Sequence, residues 1–383
     1  MRRVECLDGL RGLAALWVLI GHSMILSGLS LPVIGQPHLG VDLFILLSGF
    51  LMVVQYQLRR DFEDWSRLGT WAAFWTRRFF RIAPLFYAAL LVALLLGPII
   101  YSDRVAIDTF LDHKMQQPER YLDASITNIL LHLTFVFGLL PSYAYRTPLP
   151  DWSLGLEMQF YAVFPVLMLL TRKIDWLFTA LLIVCASIAI VLQARHAGVY
   201  FPMPSFLPLK MPLFLCGMLI AADTRENRTR LWLQIGGAML LAAIPLDGHR
   251  DVLHLVVREL LVLIFVALVH WQHIWGIGSA SKLLGTQPFH WLGELSFGVY
   301  LWHLLILHVV AAWVIARWGY SISPTQRFLI VSGIAAVVAY ALAFVTYKAI
   351  EVPGQKLGKV IQKRISGSDG KSTSVAAEEI AAP

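Results

Sequence analysis

The chain has 383 residues, of which 58% are hydrophobic and only 14% are charged. A soluble domain carries about 25% charged residues, and the deficit here lies in continuous apolar runs of about 16–25 residues, long enough to span a membrane as helices. The runs do not alternate in polarity, so they exclude a transmembrane β-barrel and predict an all-α polytopic membrane protein. Lys- and Arg-rich cytoplasmic loops explain the net charge of +7, and we expect no nucleic-acid partner.

Ten of the apolar runs have the length and composition of transmembrane helices. They lie at about 8–27, 40–58, 80–100, 152–171, 175–193, 207–222, 231–247, 252–270, 290–314 and 326–348. We interpret residues 1–355 as one membrane domain and residues 356–383 as a basic, disordered tail on the cytoplasmic side.

One further apolar stretch, ITNILLHLTFVFGLLP at 126–141, decides the topology. If the N-terminus is cytoplasmic and this stretch does not cross the bilayer, the basic clusters at 57–79, 171–173, 223–230 and 356–364 all face the cytoplasm. If it does cross, the last three of those clusters face outward. The positive-inside rule therefore predicts ten spans, both termini cytoplasmic, and a segment at 126–141 that lies in or dips into the outer leaflet.

The first span carries two ionisable residues, Arg11 and His22, which are 11 residues apart. At 100° per residue they lie within about 20° of one another on a single helix face, separated along the axis by roughly 16 Å. An ionisable group at membrane depth is costly and indicates a functional site. The alternative is an arginine that snorkels to the interface and a histidine that makes one interhelical hydrogen bond.

The third span opens with WTRRFFRIAPLFY, in which Arg78 and Arg81 are spaced i, i+3. If the helix has begun there, the two guanidinium groups share a face and can bind phosphates bidentately. Pro84 suits a first helical turn. A basic anchor at the cytoplasmic boundary would account for the same arginines.

The stretch DWSLGLEMQFYAVFPV opens the span at 152–171 and contains Trp152, Ser153 and Glu157. Glu157 lies below the interface in the predicted topology, at a depth close to that of His22, where a carboxylate needs a cavity or a partner. A histidine with a carboxylate partner becomes a better base. The aromatic residues here also fit an ordinary interfacial belt.

Two other stretches contribute polar residues as supporting candidates. GVDLFILLSGFLM places Asp42 at the outer end of the second span, where it also fits an acid near a helix N-terminus, and Ser48 and Gly49 in the middle. ELSFGVYLWHLLILH contains Tyr300 and His303; His303 also fits a polar group packed between helices. The three cysteines show neither metal-ligand spacing nor a need for a disulfide, and we predict no metal site.

Together these stretches resemble the acyltransferase-3 family of integral membrane acyltransferases. LDGLRGLAALWVLIGH, GVDLFILLSGFLM, RRFFRIAPLFY, DWSLGLEMQFYAVFP, SFGVYLWH and a closing Glu351-x-Pro353 occur in order across residues 5–355. The resemblance implies ten core spans and the transfer of an acyl group, usually acetyl from acetyl-CoA, to a hydroxyl of a glycan or glycolipid across the membrane. Because the chain ends soon after the last span, we expect the stand-alone form without a fused hydrolase-like domain.

The resemblance and the spacing together suggest a mechanism. Arg11, Arg78 and Arg81 would bind the phosphates of the acyl-CoA, and His22 would act as general base with Glu157 orienting it. Ser48 or the backbone near Gly49 would stabilise the oxyanion. An acyl-His22 intermediate is the alternative path. The rival functions are succinyl or other acyl transfer, acylation of an antibiotic, and a proton-coupled carrier.

The predicted acceptor site lies in the outward loops at 101–150, 194–206 and 315–325. The aromatic residues there suit stacking on sugar rings: Tyr121, Tyr143, Tyr145, Tyr200 and Trp318. We expect an O-antigen, exopolysaccharide, Nod-factor or similar glycan acceptor, and a multi-pass location in the bacterial plasma membrane. The sequence leaves the oligomeric state open.

Overall fold

The computed structural model describes residues 6–222, 227–248 and 251–367. These residues form helices and connecting loops without a β-strand. The α-helices in chain order are α1 (Cys6–Ser27), α2 (Pro37–Arg59), α3 (Leu68–Leu111), α4 (Glu119–Leu122), α5 (Ile126–Leu133), α6 (Trp152–Lys173), α7 (Trp176–His196), α8 (Leu207–Ala221), α9 (Arg228–Ala242), α10 (Val252–His270), α11 (Trp275–Leu284), α12 (Gln287–Trp318), α13 (Pro324–Thr346) and α14 (Val352–Gly367).

Each of the ten predicted spans coincides with a helix. Among the described residues, eight helical stretches are long and apolar enough to cross a membrane, which confirms a polytopic all-α protein. The two remaining predicted spans, α8 and α9, have 15 residues each, about 22 Å of helix against a hydrocarbon core of about 30 Å. The count of ten and the placement of the termini therefore stay predictions.

The helix α3 differs most from its prediction. It has 44 residues and runs from Leu68 to Leu111, well beyond both ends of the predicted span at 80–100. Pro84 consequently lies deep inside the helix, and the expectation that it occupies a first turn is wrong. The aromatic and basic residues from Leu68 to Arg81 continue the helix before the apolar run starts, because their contacts extend along α6 and α14.

The stretch at 126–141 forms two short pieces rather than a spanning helix. The helix α5 has eight residues and is followed by a 3₁₀ turn at Val136–Leu139, with Phe135 in the left-handed region at a φ of 60°. Eight residues of helix measure about 12 Å, too short to cross a bilayer. This agrees with the prediction of a segment that does not cross.

The helix α1 lies at the centre of the bundle, in contact with α2, α12 and α13. Small residues allow this close packing: an ideal Cβ on Gly9 would lie 2.3 Å from the carbonyl oxygen of Leu284, and one on Gly293 would lie 2.2 Å from that of Asp8. Neither glycine can carry a side chain without the helices moving apart. Backbone contact therefore holds α1 against α11 at Gly9 and against α12 at Gly293.

The predicted domain boundary at residue 355 falls inside α14, which continues to Gly367. An ideal Cβ on Gly354 or Gly358 of this helix would lie within 3 Å of Pro84 or Phe80 of α3. The first part of the predicted tail is therefore helical and packs on α3, and the domain boundary itself stays a prediction. Residues 368–383, the rest of that tail, lie outside the described residues.

The helices α2 and α8 cross through a pair of glycines. An ideal Cβ on Gly49 would lie 2.2 Å from the carbonyl oxygen of Phe214, and one on Gly217 would lie 2.1 Å from that of Leu46. Gly49 therefore packs two backbones together. The expectation that the backbone near Gly49 serves an oxyanion finds no support in this packing.

We predict that Gly49→Ala destabilises the protein by about 1–3 kcal/mol, because the added methyl group must push α2 away from α8. The thermal unfolding midpoint of the detergent-solubilised protein should fall. The matched control is Gly236→Ala in α9, where an added Cβ meets nothing within 4 Å. That variant should unfold at the same temperature or above, and an equal fall in both variants would contradict the crossing described here.

Candidate active site

His22 and His303 form a pair between α1 and α12. His22 Nδ1 lies 2.9 Å from the carbonyl oxygen of Val18, and His303 Nδ1 lies against the carbonyl oxygen of Tyr300. A carbonyl only accepts, so each Nδ1 carries the proton in the neutral rings. His303 Nε2 then accepts from His22 Nδ1 at 3.3 Å. This pattern leaves the Nε2 atom of His22 with its lone pair, as a general base requires.

A cavity of about 460 Å³ lies at the His22 end of α1, and we call it the histidine cavity. Its lining includes two of the residues predicted as supporting candidates, Trp152 and Tyr300. The Tyr300 hydroxyl donates to the carbonyl oxygen of Pro150 at 2.8 Å and lies 2.6 Å from Ser153 Oγ. The structure thus brings His22, His303, Tyr300, Ser153 and Trp152 together at one end of the bundle.

The predicted arginines meet at the opposite end of α1, and we call Arg11, Arg78 and Arg81 the arginine cluster. Arg78 is 7% exposed, donates to the side chain of Gln55, and lies 5.7 Å from the centre of the Tyr161 ring. Arg11 lies 3.9 Å from Asp8 and within electrostatic range of Arg81. Three guanidinium groups concentrated in one place form a strong anion-binding surface.

Glu157 belongs to the arginine cluster rather than to the histidine cavity. Its Oε1 atom accepts from Ser48 at 3.2 Å and from the Tyr161 hydroxyl, and the carboxylate is within electrostatic range of Arg11. The expectation that Glu157 lies at the depth of His22 and orients it is wrong. The ring next to His22 is His303, at 5.1 Å between ring centres.

The register of α1 and α2 explains this correction. Gly40 faces Ala14 and Val18 of α1, and Ser48 lies eight residues further along α2, about 12 Å towards the Arg11 end. Ser48 therefore holds the Glu157 carboxylate and is too far along the bundle to stabilise an oxyanion at His22. A sequence-only depth estimate missed this because α6 begins with a full turn inside the bundle.

Polar side chains connect the two ends of the bundle. Ser153 lies one helical turn before Glu157 on α6, so the two side chains share a face. Ser153 contacts Tyr300 of α12, and Tyr300 precedes His303 by three residues on the same helix. We call this series (Glu157, Ser153, Tyr300, His303) the polar track, because it leads from the arginine cluster to His22.

Asp42 is the centre of a second buried charge network. Its carboxylate accepts from Lys210 and lies 2.9 Å from Arg258 Nη2, and both cations also bind Asp247. His254 lies 3.4 Å from Asp42 Oδ2. The alternative of an acid near a helix N-terminus is wrong, because α2 begins at Pro37 and Asp42 is 2% exposed.

Two residues of this network can be recognised in the sequence. Lys210 and Arg258 are cations inside predicted spans, and such residues indicate an intramembrane site by the same argument as Arg11 and His22. His38, which donates to or accepts from His254 at 2.8 Å, connects the network to the histidine cavity. The pairing of these cations with Asp42 could not be predicted from the sequence, because Asp42 and Arg258 are 216 residues apart.

The side chains of Asp42, Asp247 and His254 bring their ligand atoms within 4.8 Å of one another. That spacing suits a metal ion, but Lys210 and Arg258 already bind both carboxylates. A metal ion would have to displace both cations. We therefore assign the three side chains to an ion-pair network and assign no metal to them.

We predict that Asp42→Asn destabilises the protein by about 3–5 kcal/mol, because it leaves two buried cations with one carboxylate. Thermal unfolding in detergent measures the effect. The control is Asp123→Asn, which removes a 2.9 Å ion pair with the more exposed Arg146 and should cost about 1 kcal/mol or less. Equal losses would show that the network contributes no more than a surface pair.

The fold and the two-ended site define a polytopic membrane protein with a cluster of arginines at one end of the bundle and a pair of histidines at the other. Residues 4–347 match the model of the acyltransferase-3 family, described as an acyltransferase domain. The chain belongs to this family, as its sequence motifs predicted.

Three relatives show how far the similarity extends. The peptidoglycan O-acetyltransferase OatA of Listeria monocytogenes is 23% identical over 93% of this chain and 56% of its own length. BcsY of Komagataeibacter xylinus carries a provisional name as a membrane-bound transacylase. It is 27% identical over 78% of this chain and 71% of its own length. ORF330 of Acidianus two-tailed virus, named by inference as an acetyltransferase, is 24% identical over 78% and 81%.

The chain spans little more than half the length of OatA, since the match covers 56% of that protein. No solved structure matches the chain significantly. The family is therefore established by sequence, and the geometry of the site comes from the structure of this chain.

Proposed function

We propose that the protein transfers an acyl group, most simply acetyl, from acyl-CoA to a hydroxyl group of a glycan or glycolipid. The observation that carries the proposal is the arrangement of α1: an anion-binding cluster at one end and a histidine with a free Nε2 lone pair, facing a cavity, at the other. The family and the printed names of OatA and BcsY support acyl transfer as the reaction class.

The arginine cluster is the proposed donor site. Coenzyme A carries phosphates, and guanidinium groups bind phosphate oxygens in bidentate pairs. Arg81 makes no hydrogen bond or ion pair with another described residue, so its guanidinium is available for a ligand. The basic loops at this end of the bundle support a donor site on the cytoplasmic side of the membrane, because cytoplasmic loops are enriched in Lys and Arg.

The histidine cavity is the proposed site of the reaction. The acceptor hydroxyl gives its proton to His22 Nε2 as its oxygen attacks the thioester carbonyl, and the thiolate of CoA leaves and takes that proton back from the imidazolium. The Nδ1–H group of His22 donates to the Val18 carbonyl oxygen and to His303 Nε2 throughout, and these contacts keep the ring in one tautomer and orientation. An acyl-His22 intermediate uses the same nitrogen, with transfer in two steps.

Glu157 receives a new role in this mechanism. It lies among the arginines and holds Ser48 and Tyr161 by hydrogen bonds. A carboxylate there lowers the mutual repulsion of the guanidinium groups when no donor is bound. Glu157 therefore organises the donor site, and His303 takes over the orienting role that the sequence assigned to Glu157.

The lining of the histidine cavity suits a sugar acceptor. Tyr145, Trp152, Tyr200, Phe201 and Phe206 contribute aromatic rings to it, and flat rings pack against the apolar faces of sugars. Tyr145 and Tyr200 are two of the five aromatic residues predicted from the outward loops. The printed name of OatA, a peptidoglycan O-acetyltransferase, supports a glycan as the acceptor class.

We predict that His22→Ala lowers acetyl-CoA turnover by about 10²–10⁴-fold, the range expected for loss of a general base. CoA binding, measured by equilibrium dialysis in lipid nanodiscs, should change by less than about threefold, because the arginine cluster lies about 16 Å away along α1. Labelled acetyl-CoA incubated with the purified protein measures the turnover.

Two controls accompany this experiment. His113→Ala, on an exposed segment, should keep full turnover. Added imidazole should restore part of the turnover of His22→Ala, since it can occupy the space of the lost ring, and a purely structural role would not allow this rescue. Near-normal turnover in His22→Ala would refute the mechanism.

A further inference from the structure

Arg120 is a buried cation in the wall of the histidine cavity. It lies on α4 (Glu119–Leu122), is 7% exposed, and lines the cavity together with His22. Its guanidinium carbon lies 3.7 Å from the centre of the Tyr145 ring, and Nη1 donates to the hydroxyl of Tyr145. Its Nε atom is buried without a hydrogen-bond partner among the described residues.

Three other arginines near this end of the bundle form ion pairs with carboxylates. Arg104 lies 2.8 Å from Asp108, Arg146 lies 2.9 Å from Asp123, and Arg258 lies 2.9 Å from Asp42. Across the part of the chain that the structure describes, Arg120 has no such ion pair.

Asp151, a carboxylate within electrostatic range of Arg120, already has other partners. Its Oδ2 atom accepts from Thr147 at 2.6 Å and lies 3.5 Å from His132. Burial lowers the pKa of the Arg120 guanidinium below its ordinary value, because a charge removed from water loses its solvation. A buried cation of this kind needs an anion to offset that cost.

Among the described residues that line the cavity, the acidic one already has cationic partners. This residue is Asp247, whose carboxylate is bound by Lys210 and Arg258. A second cation, Arg195, lines the cavity and donates to the carbonyl oxygen of Leu246 at 2.7 Å. The cavity around His22 is therefore positively charged as well as aromatic.

We propose that Arg120 binds an anionic group of the acceptor, a carboxylate or a phosphate, and thereby positions the acceptor hydroxyl at His22. Stacking on Tyr145 fixes the plane of the guanidinium and leaves edge N–H groups for two oxygen atoms of one anion. That the bound anion belongs to the acceptor rests on the proposed function, whereas the binding of an anion by Arg120 does not. It narrows the acceptor from any glycan to an acidic or phosphate-bearing one.

Binding without an acyl donor tests the proposal, using saturation-transfer difference NMR on the protein in nanodiscs. The probes are methyl β-glucuronide for a carboxylate, glucose 1-phosphate for a phosphate, and methyl β-glucoside as the neutral counterpart. In the wild type we expect saturation transfer to at least one anionic probe and little to the neutral one. If only one anionic probe binds, it identifies the source of the negative charge.

The variants locate the binding site. Arg120→Gln should weaken binding of the anionic probe by about tenfold or more, as expected for loss of hydrogen bonds between charged groups. Arg120→Lys should retain part of it and guards against a variant that fails to fold. The matched control, Arg146→Gln, removes a cation from the same outward segment that does not line the cavity, and should leave binding unchanged.

The proposal is overturned if the neutral probe binds as well as the anionic ones, or if binding in folded Arg120→Gln equals that of the wild type. Because the assay needs no acyl transfer, it separates the two claims. Binding at Arg120 in a protein that never cleaves acetyl-CoA would support the anion site and refute the proposed function. Cleavage of acetyl-CoA without anion binding would support the proposed function and refute the anion site.

Discussion

The cost of placing charge inside an apolar bundle governs this structure. Arg11 and His22 lie on one face of α1, and polar and charged groups around them offset the cost of their burial. Arg11 meets Asp8 and lies near Glu157, and His22 meets His303 and a carbonyl oxygen of its own helix. Backbone contact at Gly293 holds α1 closely against α12, and the pair of histidines forms between these two helices.

The same constraint divides the bundle into two polar regions with different chemistry. The arginine cluster brings three guanidinium groups together and suits phosphates, whereas the histidine cavity combines an imidazole, aromatic rings and Arg120. The Asp42 network lies between neighbouring helices and is balanced by its own cations. The polar side chains of Ser153 and Tyr300 lie between the two regions.

Much of this architecture could be predicted from the sequence, and the reason is periodicity. The positions of Arg11 and His22 on one helix, and of Arg78 and Arg81 on another, depend only on helix geometry. The structure has each pair on a single continuous helix, as predicted. The failures concern contacts between helices. Glu157 was assigned to His22 because the depth of a residue in the membrane can be guessed from the sequence but its register against other helices cannot.

Contacts between residues far apart in the sequence could not be predicted for the same reason. His303 joins His22 across 281 residues, and Arg258 joins Asp42 across 216. Nothing local in the sequence specifies such partners, although the rule that a buried charge needs a partner does identify Lys210 and Arg258 as residues to examine. Arg120 escaped because it lies in a loop of mixed charge, where its burial depends on how that loop folds over the cavity.

The proposed mechanism requires the thiol end of the donor to travel from the arginine cluster to His22. The most direct measurement uses His22→Cys in a protein whose three native cysteines are replaced by serine, treated with the pyridyl disulfide of CoA from one face of oriented proteoliposomes. The account predicts a mixed disulfide between CoA and the thiol introduced at position 22, detected by mass spectrometry. It should form only from the arginine side and be strongly reduced when Arg81→Gln is added. Formation from the histidine side, or formation that ignores the loss of Arg81, would contradict the account.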